Sequence, residues 1–373
     1  MTPLRALTVT TAPIPFRTSF AHASAVRSKA ENIIVVVEDE AGRVGIGEGC
    51  PRSYVTGETI ESARAFLEVH RTSLMDISDL AALRGWVSTH QHEIDAAPSA
   101  FCAAELALLD LIGQCSGRSL EGLLGVEPTP ALSISAVYGA SGSFKFAVQE
   151  AAYRAFAMRN AKVKLSGSRR RDHARVSRLA RRGPVRLDAN NMFATTADAI
   201  EALSPMRAIA WAVEEPVAAR DWAALARISN ETGLAVIADE SLTTRADLHA
   251  MPAGFVPNLR VSKLGGLIRS LQVLDDAVRQ GRRVIVGAQV GETSILARAG
   301  VTLASAAGSY LVACEIGYGA WLLRRDIAAP TLGFGWRGLL RAKKIAARPG
   351  AGLSITAPCL FDEGGSFPGR CEP

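Results

Sequence analysis

The chain has 373 residues, a formal net charge of +6, 48% hydrophobic residues and 21% charged residues. That length holds one large α/β domain plus a smaller one, and the composition excludes a disordered, collagen-like or disulfide-scaffold chain. The six cysteines form no C-x-x-C pair, so reduced thiols are expected rather than a zinc site. Residues 4–14 and 32–49 read as strands of a small antiparallel sheet, the second a hairpin within ENIIVVVEDEAGRVGIGEG. Between them FRTSFAHASAVRSKA (16–30), carrying Arg17 and His22, reads as a polar loop, and CPRSYVT (50–56), carrying Arg52, follows the hairpin. Helical patterns then cover 58–70, 77–92 and 97–115. The N-terminus lacks the apolar core of a signal peptide and no apolar run is expected to span a membrane, so a cytoplasmic protein is expected.

From residue 126 the pattern changes to apolar runs that each end in an ionisable residue. They are AKVK, VRLD, WAVE, VIAD and VSK, ending at Lys164, Asp188, Glu214, Asp239 and Lys263, which recur every 24 to 26 residues. One strand, one helix and two loops fill such a period, which implies βαβ units and a parallel sheet. LSISAVYG (132–139) supplies a first strand, and RVIVGAQ (283–289) and YLVACE (310–315) a seventh and an eighth. Eight strands close a barrel, and chemical residues at successive carboxyl ends of strands mark its catalytic mouth. Lys164 and Lys263 then lie four strands apart, with the three carboxylates between them. Three converging carboxylates repel one another unless a cation joins them, and oxygen ligands without His or Cys suit Mg²⁺, or Mn²⁺. The basic run RRRDHARVSRLARRG (169–183) falls in the helix slot between the second and third strands. It has no interleaved aromatics, so a solvated helix face is expected and no nucleic-acid site.

The constellation K-x-K (Lys162, Lys164), D-x-N (Asp188, Asn190), E-E-P (Glu214, Glu215, Pro216), D-E-S (Asp239, Glu240, Ser241) and K-x-G-G (Lys263, Gly265, Gly266) resembles the enolase superfamily. Within it the likeness is to the muconate lactonizing enzyme (muconate cycloisomerase) subgroup of the mandelate racemase/muconate lactonizing enzyme family. The resemblance implies a modified TIM barrel, (β/α)7β, over 126–345. It further implies an α+β capping domain over 1–125 with specificity loops near 16–30 and 50–56, and a tail over 346–373 that returns to the cap. It implies Asp188, Glu214 and Asp239 as Mg²⁺ ligands, with Asn190 and Glu240 beside them. Arg17, Arg52, Gln289, Glu292 and Thr293 become candidate substrate contacts, as do His22, Ser294, Glu315 and Tyr318. The family often assembles, so a homo-oligomer is expected.

The chemistry follows from the donor set. A proton next to a carboxylate is very weakly acidic, and its loss places negative charge on the carboxylate oxygens, which a chelated divalent cation stabilises. A free lysine, with a pKa of about 10.4, is mostly protonated and a poor base at neutral pH. Lys162 shares a strand face with Lys164, and its like charge together with the metal is expected to favour the neutral, basic amine at Lys164. Lys263 is expected to act from the other side. None of the histidines falls at the end of a late strand, which argues against chemistry of the mandelate racemase or acid-sugar dehydratase kind. CEIGYG (314–319) lacks the D-x-D with which dipeptide epimerases hold an amine. The reading is a metal-dependent isomerase, cycloisomerase or racemase/epimerase, acting on a small-molecule carboxylate. A lyase of the succinylbenzoate-synthase type shares its first intermediate, and a Schiff-base aldolase on Lys263 belongs to a different chemical class.

Overall fold

The computed structural model describes residues 1–22 and 25–356, with the side chains of residues 18–27 outside the described set. His22 as a substrate contact, and the tail from residue 357 with Cys359 and Cys371, therefore lie outside the described residues. The four cysteines within them are free.

Strand β1 (Leu4–His22) pairs antiparallel with β2 (Ala25–Asp39), which pairs antiparallel with β3 (Val44–Gly49). The stretch 16–30, expected as a loop, is largely paired strand, with Phe20 opposite Arg27 after an irregularity between Pro15 and Phe20. Pairing satisfies main-chain donors and acceptors that a loop leaves to water, so polar side chains do not prevent it. The long helix Pro98–Ser116 lies across this sheet. A Cβ at Gly45, Gly47 or Gly49 would come within 2.2, 1.9 and 1.9 Å of the carbonyl oxygens of Ala107, Ala103 and Ser99. The V-G-I-G-E-G alternation thus lets a helix backbone rest directly on a strand. By length and composition this helix could cross a membrane, contrary to the sequence expectation, but 83% of its apolar window is buried inside the protein.

The second half of the chain is built on an eight-stranded parallel sheet. Its strands, in spatial and chain order, are Ala136–Tyr138, Ala161–Lys164, Val185–Asp188, Ala212–Glu214, Ala235–Ala238, Val256–Leu259, Val284–Val286 and Leu311–Cys314. The sheet curls so that the first and eighth strands meet where Ser135 N donates to Cys314 O at 2.8 Å. A helix follows each of the first seven strands, while the eighth is followed directly by the single turn Gly319–Leu322, giving the (β/α)7β arrangement. The expected first strand is split. Ala131–Ser133 pairs antiparallel with Leu339–Arg341, and Ala136–Tyr138 enters the barrel. Ala212, Ile237, Val256, Ile285 and Ala313 form a separate apolar cluster inside the barrel.

The basic helix Arg169–Ala180 packs behind the barrel, where Arg178 and Arg182 both pair with Glu150, and Arg175 lies 4.6 Å above the Phe146 ring. Two buried glutamates tie the cap to the barrel. Glu48 of β3 accepts from Thr293 N, Thr293 Oγ1 and Leu296 N at 3.0, 2.7 and 3.1 Å, at the start of helix Ser294–Ala307. Glu105 of the long helix accepts from Leu267 N and Ile268 N at the start of helix Leu267–Arg279. Chain beyond the barrel reaches the cap as well, since Gly350 N donates to Arg118 O at 2.8 Å and Leu120 N to Gly350 O at 3.1 Å.

Candidate active site

Side chains on a strand alternate between faces, so residues two apart line the same side. On the second, third and fourth barrel strands that rule carries Lys162, Lys164, Arg186, Asp188 and Glu214 inward. The register places Lys162 beside Arg186, Lys164 beside Asp188, and Asp188 beside Glu214. Asp239 follows directly after the fifth strand. Asp188, Glu214 and Asp239 are 2%, 0% and 0% exposed, a depth at which a carboxylate needs a positive partner.

Those partners are side chains of the barrel itself. Lys162 Nζ lies 3.2 Å from Asp188 Oδ2, 2.8 Å from Glu214 Oε1 and 3.3 Å from Glu315 Oε2. Burial works against its ammonium, but Asp188, Glu214 and Glu315 outweigh that and hold its pKa well above the usual lysine range. Lys162 is therefore a fixed cation in the floor of the site. Burial likewise opposes the ionisation of Asp188, yet Lys162 and Lys164 keep its carboxyl below the ordinary range. Glu315, just past the eighth strand, is held down to about 2 because Lys162 and Arg186 together overcome its burial. Arg186 Nη2 meets Glu315 Oε1 at 2.5 Å. Lys164 is the more accessible lysine, 18% exposed, with Nζ 2.7 Å from Asn190 Oδ1 and 3.3 Å from Asp188 Oδ2.

Polar residues one or two positions after each site carboxylate lie close beside it. Glu215, at φ 41°, accepts from Asp239 N at 2.7 Å, Ser241 N at 2.8 Å and Ser241 Oγ at 2.8 Å. It therefore ties the fourth strand's end to the fifth and fixes where Asp239 leaves the sheet. Asn190, at φ 45°, turns its N–H back onto Asp188 Oδ1 at 3.2 Å. Glu240 is pushed up to about 8, by burial first and then by Glu215 and Asp188, and its Oε2 is buried without a partner.

The sixth strand ends sooner than the sequence spacing implies. Its last residue is Leu259, and Lys263 lies in the turn that follows. There Lys263 is wholly buried, with Nζ bonded to Asp239 O, Asp239 Oδ1 and Asn258 O at 2.6, 2.8 and 2.9 Å. Burial, then the charge of Arg260, pushes its pKa down to about 7. Gly265 and Gly266 follow at φ 78° and 101°, where a Cβ would meet Ile94 at 2.5 Å and Glu105 at 2.3 Å.

The remaining candidates divide by partner. Gln289 Oε1 accepts from Arg260 Nη1 at 3.1 Å, and Glu292 accepts from Gln289 N and is pushed up to about 8 by burial. The main-chain N–H and hydroxyl of Thr293 are both engaged by Glu48 of the cap. Arg52 is 1% exposed, and its guanidinium donates to Glu31 O, Pro51 O, Asn32 Oδ1 and Val290 O, which joins cap to barrel. Arg17 Nε donates to Leu323 O at 2.8 Å. Sequence reasoning missed Arg186, Asn258 and Arg260. The period-2 rule finds all three, since V-R-L-D and V-P-N-L-R place them on the inward face.

The donor set fits a hard divalent cation. Asp188, Glu214 and Asp239 offer oxygens alone, and Glu214 Oε2 is buried with no hydrogen-bond partner. Burial first, then Asp188 and Glu315, push the Glu214 carboxyl up against the pull of Lys162, a surplus of negative charge that a divalent ion relieves. Among the described residues no three acidic, histidine or cysteine side chains stand close enough to share an ion as they are. Each carboxylate is instead drawn to a cation, and Asp239 Oδ2 pairs with Arg260 Nη2.

Residues 4–125 match the N-terminal domain of the mandelate racemase / muconate lactonizing enzyme family, and residues 146–357 the enolase C-terminal domain-like model. An L-Lys-D/L-Arg epimerase from Methylococcus capsulatus is 30% identical over 91% of this chain and 94% of its own. An N-succinyl-L-Arg/Lys racemase from Bacillus cereus is 25% identical over 78% of this chain and 81% of its own. The crystal structure of the Methylococcus capsulatus dipeptide epimerase complexed with Mg and L-Arg-D-Lys superposes with a TM-score of 0.83 at 26% identity, covering 95% of this chain and 100% of that one. With both halves matched and the barrel's acidic row in place, the chain belongs to the mandelate racemase/muconate lactonizing enzyme family of the enolase superfamily, as an enzyme of the isomerase class.

Proposed function

We propose that the protein is a Mg²⁺-dependent isomerase that removes the proton α to a substrate carboxylate, with Lys164 as the base. The observation that carries this is the placement of Lys164. It is the accessible member of the inward lysine pair, next to Asp188 and Asn190 at the head of the acidic row. Asp188, Glu214 and Asp239 would hold the Mg²⁺, with Mn²⁺ as a substitute, and the ion would supply positive charge to the substrate carboxylate as it gains electrons. Lys162 remains a fixed cation that keeps Asp188 ionised and opposes the upward push that burial gives Glu214. Asn190 holds Lys164 Nζ towards the mouth.

The substrate class is a small carboxylate with no free ammonium beside the reacting carbon. Glu315 has both oxygens engaged, by Arg186 and Lys162, so the eighth strand offers no free carboxylate pair for an amine. An N-acylated amino acid satisfies this, and the racemase among the relatives supports it. Inversion at the α-carbon, ring closure and elimination of a β-substituent share the same first step. The burial of Lys263 and its three oxygen partners speak against a Schiff base there.

The test is α-proton exchange in D₂O, followed by ¹H NMR with Mg²⁺, on N-succinylamino acids, dipeptides and muconates. Lys164→Ala is expected to slow exchange by about 10³-fold, within the range for loss of a general base. Exchange by Lys164→Ala at the wild-type rate would sink the assignment. Product mass then separates isomerisation from loss of water.

A further inference from the structure

The sixth barrel strand shows which of its side chains reaches the mouth. Val256 lies in the apolar cluster inside the barrel, Leu259 packs in the main core outside it, and Asn258 Nδ2 donates to Glu214 Oε1 at 3.3 Å. Val256 and Asn258 therefore face inward, and the next inward position is Arg260. Its guanidinium pairs with Asp239 Oδ2, donates from Nη1 to Gln289 Oε1 at 3.1 Å and comes within 3.8 Å of Glu214 Oε1. Its Nε is buried without a partner. Arg260 keeps 12% of its side chain exposed, against 0% for Lys263. Two of the three oxygens around Lys263 Nζ are main-chain carbonyls, the environment of a structural clamp.

We propose that Arg260 is the side chain the sixth strand presents to the substrate, and that Lys263 is a positioning residue that fixes Asp239. The proposal rests on the reading that Lys164 removes an α-proton. It adds that the site is single-based, because a guanidinium stays protonated in proteins and takes no proton. In the first half-reaction the Cα–H bond breaks, neutral Lys164 Nζ takes the proton, and the electron pair passes to the carboxylate oxygens. Arg260 meets those oxygens with N–H donors in the planar fork that suits them. The proton exchanges with solvent on Lys164 and returns from the same nitrogen to the same face. Ring closure, an isomerisation that needs one face, and elimination are therefore favoured over inversion, which needs a donor on the other face, and on an N-acylamino acid the half-reaction shows itself as exchange with retention.

Two arms test this. In the first, N-succinyl-L-lysine and N-succinyl-D-lysine are incubated with Mg²⁺ enzyme in D₂O, and exchange and configuration are read separately. Wild type is expected to exchange one enantiomer about 100-fold faster than the other, the scale of one acid–base group, and to exchange faster than it inverts. Arg260→Lys should gain exchange of the slow enantiomer. Lys263→Met should lower rates without changing which enantiomer is preferred. Equal exchange of both enantiomers by wild type, or loss of one enantiomer's exchange in Lys263→Met alone, overturns the proposal. The second arm needs no substrate. Mn²⁺ binding followed by electron paramagnetic resonance should tighten about tenfold in Arg260→Met, as removal of one positive charge beside the ion predicts, and weaken in Lys263→Met. Unchanged or weaker binding in Arg260→Met overturns the placement of Arg260 on Asp239. Absence of exchange by every protein on either enantiomer counts against the α-proton reading for this substrate class, and the Mn²⁺ arm then decides on Arg260.

Discussion

The barrel mouth and the seam between cap and barrel bury the same kind of side chain to the same depth, with opposite results. At the mouth Glu315 faces Lys162 and Arg186 and is held down to about 2. At the seam Glu105 faces two main-chain N–H groups at the start of a helix, and burial pushes it up to about 8. Glu48, also buried first and bonded to Thr293 and Leu296, is pushed up to about 7. A helix N-terminus offers about half a positive charge spread over several donors, whereas a lysine or arginine offers a whole one. At Glu105 and Glu48 partial charges offset burial incompletely, and at Glu315 two full charges overcome it. The seam thus joins two halves with carboxyls that stand near the edge of ionisation. At the mouth neighbouring cations keep Asp188 and Glu315 charged, while burial and its carboxylate neighbours push Glu214 up.

The largest expected effect tests whether charge at the mouth is exchangeable. Lys162→Met leaves Asp188, Glu214 and Glu315 short of their common partner. Removing one member of a buried charge cluster costs about 3–5 kcal/mol. Denaturant unfolding without metal should show that loss, and added Mg²⁺ should recover part of it, because the ion brings positive charge to the same oxygens. A loss that Mg²⁺ leaves untouched would mean that the row does not gather the ion. The seam counterpart is Glu48→Ala, which strands buried N–H groups at the start of helix Ser294–Ala307 at about 2–3 kcal/mol. That loss should be the same with and without Mg²⁺.

The pH dependence separates the regions next. Glu105 ionises at about 8 in the folded chain, against an ordinary value of 4.5. Between those values the folded state keeps a proton that the unfolded state has released, so this residue's contribution to stability falls as pH rises across that window. Glu315 has the opposite sign. Its contribution is present above 4.5 and is lost as pH falls through about 2. Glu105→Gln should flatten the alkaline decline of the unfolding midpoint and leave the acid side alone, while Glu315→Gln should alter the acid side. An alkaline slope unchanged in Glu105→Gln would show that the seam carboxyl is ionised throughout.

Much of the mouth was legible because it is written locally. The order K-x-K, D-x-N, E-E-P, D-E-S places one inward residue at the end of each successive strand, and the period-2 rule needs no distant information. At the sixth strand spacing and alternation differ, because the interval from Asp239 to Lys263 matches the barrel period, while the strand ends at Leu259 and the turn supplies the remaining residues. Alternation within V-P-N-L-R, taken instead of the interval, points to Arg260. The seam was not legible at all. Glu48 lies 245 residues from Thr293, and nothing in G-I-G-E-G says which helix that glutamate caps. Arg17 and Arg52 read as candidate substrate contacts, and the main-chain carbonyls that partner them leave no mark in composition. The stretch 16–30 read as a loop because its polar residues hide the pairing that continues to Phe20 and Arg27.

Thr293 gives the smallest effect and the sharpest division between the two regions. It sits in a loop at the carboxyl end of the seventh strand, where substrate contacts are expected in such a barrel, yet its hydroxyl donates to Glu48 Oε2 at 2.7 Å. That same oxygen also caps the helix, so the hydroxyl serves the seam from a mouth position. Thr293→Val keeps the shape and removes two hydrogen bonds, the one to Glu48 and a 3.2 Å one from Ile295 N, at about 1–2 kcal/mol together. The main-chain N–H groups of residues 293 and 296 still reach Glu48, so the larger part of the helix cap survives and the loss stays below that of Glu48→Ala. If the hydroxyl belongs to the seam alone, thermal unfolding shifts down while KM for any substrate found by the exchange assay is unchanged. A raised KM with unaltered stability would move Thr293 to the mouth, and the boundary between the two regions would then run through Glu48.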